Sequence, residues 1–172
     1  MFRFILSAIM ASHFVGCGGS SAPSVAAPSG SALITTTGLS SLVTIGYPST
    51  LTSSTDAETS SMLFRPAAFP AATVGTDVNV GITISIDPNP DRLEMTAFYN
   101  GDVGDDLGTP TGVITVGNSS GYRFLPSATQ GGDVVVIVPR ADGTFLRIVD
   151  QGAAFQDNGV FVEMLRSIKI SN

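Results

Sequence analysis

The 172-residue chain has no tryptophan, one histidine, one cysteine and only eight lysines and arginines. The histidine is His13 and the cysteine is Cys17, so nothing beyond residue 17 carries an imidazole or a thiol. That excludes Ser-His-Asp and Cys-His nucleophilic machinery there, because each uses imidazole to take and return the proton. The His/Cys ligand sets of zinc are excluded for the same reason. Positive charge is also thin. Arg65, Arg92, Arg123, Arg140, Arg147, Arg166 and Lys169 stand singly against 14 carboxylates, and no basic stripe interleaves with aromatics to track a phosphate backbone. No nucleic-acid partner is expected. Carboxylate chemistry survives in principle, since glycoside hydrolysis needs only two acids. The three glutamates are Glu58, Glu94 and Glu163, and most of the 11 aspartates sit in turn-like contexts; they read as solvated groups.

What the chain does have begins at its first residues. Arg3 precedes the apolar run from Phe4 to Ala11, which Ser12 and His13 interrupt. A charge followed by a short apolar stretch is the pattern of an export signal, and the run is well below the roughly 18 to 20 residues that cross a bilayer as a helix. Phe14-Val15-Gly16-Cys17 then resembles the lipobox of bacterial lipoproteins, departing from it at Phe14, where that family prefers leucine. The resemblance implies cleavage after Gly16 and lipid on Cys17, at both its thiol and its new amine. One acyl chain binds a membrane marginally and two or more hold it, at about 0.8 kcal/mol per buried methylene. The implied address is the cell envelope, with membrane attachment through Cys17. Gly18 stands where an aspartate would resemble an inner-membrane retention signal, so the resemblance implies sorting to the outer membrane.

Without residues 1–16 the chain keeps all 14 carboxylates and seven of its cations, a net charge of −7. Residues 17–31 comprise the lipidated cysteine and a stretch of Gly, Ser, Ala and Pro with a single Val and no charge. Such a segment cannot bury enough surface to order itself. It reads as a tether with a coil-like reach on the order of 20 Å. Residues 32–172 are one domain's worth of chain.

Within that domain the dominant period is two. Val78, Val80, Ile82, Ile84 and Ile86 alternate with Asn79, Gly81, Thr83 and Ser85 across 77–87, which predicts a half-buried antiparallel strand. Pro88 and Pro90 cannot donate to a ladder, so the chain is expected to reverse and return as a strand over 92–99. Further hairpins are expected from 112–116 with 122–125, around the turn 117–121, and from 134–138 with 144–149, around Asp142-Gly143. The unbroken apolar run Val134 to Val138 implies burial on both faces. A last strand is expected over 160–170, and weaker ones over 33–37, 42–47 and 62–64. This predicts an all-β fold, an antiparallel β-sandwich of about eight to ten strands, with an up-and-down β-barrel as the alternative.

Two groups of residues are candidates for binding. Asn100, Asp102, Asp105 and Asp106 offer oxygen donors in a Gly-containing loop of the kind calcium favours. The EF-hand order fails, because Asp105 stands where glycine is needed and Thr111 where the closing glutamate belongs. The sequence therefore favours an acidic solvent loop and no cofactor, with calcium as the alternative. Tyr47, Tyr99 and Tyr122 are candidate stacking platforms for a sugar or peptide, set against ordinary packing in strands.

Taken together, the residues lead to a lipid-anchored envelope protein that acts as a non-catalytic binding or structural module for an envelope protein or ligand. A barrel-type carrier of a small apolar ligand and a carboxylate-dependent hydrolase are the alternatives.

Overall fold

The computed structural model describes residues 32–56, 59–67, 81–102, 107–125, 132–155 and 159–171. Among the described residues ten strands form two antiparallel sheets. In chain order they are β1 (Ile34–Gly38), β2 (Val43–Tyr47), β3 (Leu51–Asp56), β4 (Ser61–Pro66), β5 (Ile82–Asp87), β6 (Gly112–Val116), β7 (Ser119–Phe124), β8 (Val134–Pro139), β9 (Phe145–Asp150) and β10 (Lys169–Ile170). The smaller sheet has the order β1-β2-β10 and the larger the order β3-β4-β5-β9-β8-β7-β6. Among the described residues the larger sheet does not close on itself, so the architecture is an all-β sandwich and the barrel alternative is set aside.

Alternation explains how the layers meet. Ile82 and Ile84 of β5, Leu146 and Ile148 of β9, and Val134, Val136 and Val138 of β8 point to one side of the large sheet. There they share a continuous core with Val43 and Ile45 of β2 and with a helix, α2 (Val160–Ser167). Val135 and Ile137 of β8 point to the opposite side, where Phe124 and Phe145 join Phe98 and Tyr99 in a second core. The double burial expected of Val134 to Val138 is present. Val78 and Val80, the other half of the expected β5 face, lie outside the described residues.

Three expectations are corrected. No strand returns after β5: Met95–Ala97 is a helical turn, α1, followed by a π-helical turn at Phe98–Asp102, and β5 pairs with β4 and β9 instead. Asn89 enforces the departure. Its side-chain amide donates to the Leu93 and Gly143 carbonyls at 2.9 and 3.1 Å, and its Oδ1 accepts the Leu93 N–H at 2.9 Å. This closes a side-chain turn in place of a hairpin.

The second correction is at the C-terminal end, where 160–167 is a helix and only Lys169–Ile170 is a strand. Val160, Phe161, Met164 and Leu165 are buried, which is helical spacing, and Glu163 in the first turn and Arg166 in the last suit the helix dipole. Ser167 ties the helix end to β2. Its Oγ accepts the Gly46 N–H at 2.9 Å and offers its one proton to the carbonyl of Met164 or Gly46, at 2.7 and 3.0 Å. Finally, the turn between β6 and β7 is only Gly117-Asn118, since Val116 already pairs with Ser119. Gly117 has φ 58°, and a Cβ there would collide with the Ile168 carbonyl oxygen.

Candidate functional site

An open cleft of about 510 Å³ lies where the β8–β9 turn meets the segment that follows β5. Four stretches of chain line it, one of them only through Pro110. From β7 comes Tyr122, whose neighbours in the strand place it on the same face as buried Phe124 but beyond the packed core. It is 39% exposed. The segment after β5 contributes Arg92, Leu93, Glu94 and Met95, and the β8–β9 turn contributes Arg140, Thr144 and Phe145.

The turn is a fixed wall. Asp142 Oδ1 accepts the Thr144 hydroxyl at 2.7 Å and the Thr144 N–H at 3.0 Å. Its other oxygen meets the Arg140 guanidinium at 3.2 Å. The Thr144 hydroxyl foremost, then its N–H, and Arg140 to a smaller extent hold the Asp142 carboxyl below its ordinary value, outweighing a small desolvation. The Arg140 side chain is only 8% exposed. A guanidinium has five N–H donors, and Asp142 and Thr144 engage one each, the latter at 3.4 Å. A second groove of about 530 Å³ shares Pro139 and Arg140 and opens toward Asn118, Asp142 and Ile170.

Arg92 is placed differently. Its backbone is left-handed, with φ 52°, a conformation that costs a non-glycine residue about 1 kcal/mol or more. The Asn89 side chain clamps Leu93 beside it, and the Arg92 N–H donates to the Asn89 carbonyl at 3.1 Å. Gly143, itself at φ 87°, lies under its stem: a Cβ there would touch Arg92 Cγ at 3.7 Å. Among the described residues the exposed Arg92 guanidinium has no ion-pair or hydrogen-bond partner.

The residues singled out in the sequence fall elsewhere or outside. Cys17, Asp105 and Asp106 lie outside the described residues, as does the side chain of Asp102. Asn100 is exposed in the π-helical turn. Among the described residues no three His, Cys, Asp or Glu side chains gather as a metal would require. Tyr47 packs on Phe64 at 5.2 Å between ring centres and accepts the Ser53 hydroxyl at 3.1 Å. Tyr99 is buried, packs edge-on against Phe98 at 5.0 Å and donates to Asp87 at 2.8 Å. Packing thus accounts for both, and of the three tyrosines Tyr122 alone presents its ring to solvent. The buried carboxylate of Asp150 accepts the Phe155 N–H at 3.2 to 3.3 Å and shapes the bend after β9. Arg92, Arg140 and Glu94 were missed as a group because 48 residues separate Arg92 from Arg140, and only the β5–β9 pairing brings them together.

Among the described residues no helix is long and apolar enough to cross a membrane. No family model matches the chain, and no curated protein matches it. A solved structure from Bacteroides thetaiotaomicron VPI-5482 is similar over 83% of this chain and 49% of its own, at 13% sequence identity and a TM-score of 0.48; the chain thus spans about half of that protein's length.

Proposed function

We propose that the protein is exported, acylated on Cys17 and held on the bacterial envelope, where its β-sandwich serves as a non-catalytic binding module. The observation that carries this reading is the N-terminal order of Arg3, the apolar run and Phe14-Val15-Gly16-Cys17, with the chain's one cysteine at the modification position. The uncharged Gly/Ser/Ala/Pro stretch that follows supports it, because a tether of that composition keeps a domain clear of headgroups. So does the open cleft, whose walls combine a hydrogen-bonded turn with an exposed aromatic ring and a cation that has no partner among the described residues, the mixture of apolar surface and few polar groups common in ligand sites. Outer-membrane sorting follows the same reading through Gly18.

The test is Cys17→Ser in a bacterial host fed labelled palmitate. The parent protein is expected in the membrane fraction carrying label, and the variant unlabelled and released or unprocessed. Label retained by the variant would refute the reading.

A further inference from the structure

We propose that the cleft between Arg92 and Tyr122 captures the C-terminal carboxylate of a peptide whose last side chain is apolar. This rests on the reading of the domain as a binding module and names the ligand chemistry. Arg92 would be the anion contact. Its guanidinium is exposed at the cleft wall with no partner among the described residues, and a left-handed backbone locked by Asn89 fixes where its stem begins. Arg140, also in the cleft lining, is already neutralised by Asp142, and its N–H donors beyond those that meet Asp142 and Thr144 would serve a second oxygen. Leu93, Met95 and Tyr122 supply apolar walls for the terminal side chain.

Glu94, on the same wall, sets the charge limit. It opposes a dianion such as phosphate and tolerates one carboxylate paired with a neighbouring N–H, which a peptide terminus provides. The net charge of −7 without residues 1–16 does not cancel the attraction, because exposed charges beyond the roughly 8 Å Debye length at physiological salt are screened while Arg92 would be in contact. A sugar acid shares the carboxylate but has no apolar side chain to place against Leu93 and Met95, so the lining favours the peptide.

The experiment titrates the full-length protein, purified in detergent, with N-acetyl-phenylalanine, its amide and galacturonate, followed by calorimetry. The acid is expected to bind about tenfold more tightly than the amide, equivalent to about 1.4 kcal/mol. Arg92→Ala should erase that difference, Tyr122→Ala should weaken acid and amide alike, and Glu94→Gln should tighten the acid. Circular dichroism of each variant, matching the parent, shows that the fold persists. Equal binding of acid and amide, or no binding of either to folded protein, would overturn the proposal, and galacturonate binding more tightly than N-acetyl-phenylalanine would overturn the peptide assignment. None of these outcomes bears on acylation of Cys17, which the palmitate experiment reads separately.

Discussion

Phe161 and Val162 are adjacent, and the two ways of reading 160–168 place them oppositely. Strand alternation through Val160, Val162 and Met164 turns Val162 inward and Phe161 outward. Helix α2 does the reverse: Phe161 is 2% exposed and Val162 is half-buried. Truncating Phe161 to alanine removes a ring from the core shared by α2, β2 and the large sheet, at a cost of about 3 to 5 kcal/mol. Val162→Ala removes two methyl-sized groups at half burial, about 0.8 kcal/mol, offset by roughly 0.5 kcal/mol because alanine is the better helix former. With a urea m-value of about 2 kcal/mol per molar, Phe161→Ala should lower the unfolding midpoint by about 1.5 to 2.5 M and Val162→Ala by a few tenths at most. The assay is urea unfolding followed by circular dichroism, with Phe161→Leu as the milder variant should the alanine form not fold. A Val162→Ala loss equal to or larger than that of Phe161→Ala would refute the helix and its packing.

Three other outcomes are measurable on the same protein. Ile84→Ala, at a fully buried site, should cost about 2 to 5 kcal/mol, and Thr83→Ala on the opposite face much less; equal losses in thermal melts would mean the β5 register is wrong. Because the Asp142 carboxyl is held below its ordinary value of 3.8, its contribution is present above that pH and lost as pH falls through the lower folded value. Acid unfolding curves of Asp142→Asn should therefore converge with the parent at low pH and separate from it above about pH 4, and a constant offset would contradict this. For Asn100, Asp102, Asp105 and Asp106, the solvent-loop reading predicts that calcium leaves the melting temperature where magnesium does. A bound site would instead add about 2.7 kcal/mol at a hundredfold excess over the dissociation constant, and the gain would vanish in Asp102→Ala with Asp105→Ala.

How much of this was legible depends on whether one period accounted for every apolar residue. In Val134 to Val138 there was nothing to choose between, and burial on both faces followed. In Ile82 to Ile86 alternation left no apolar residue on the wrong side. Over 92–102, reading Leu93, Met95, Ala97 and Tyr99 as one strand face left Phe98 unexplained, whereas Met95, Phe98 and Tyr99 share helical spacing. Over 160–168 the strand reading stranded Phe161 and Leu165 and tolerated Arg166 on the inner face. Residues left over by a period were the available sign of the wrong one. Strand β3 had no such sign. Apart from Leu51 it is polar and exposed, and its backbone pairing with β4 holds it in place. The cleft was illegible for a different reason, since the stretches that line it meet only through long-range pairing across the large sheet.

The lipid anchor proposed at Cys17 is read out by the mass of the N-terminal peptide after purification from bacterial membranes. A mature chain that begins at Cys17 and carries a diacylglyceryl group on the thiol and an acyl chain on the amine is expected. A chain that begins at another residue, or one that carries Cys17 as a free thiol, would contradict it.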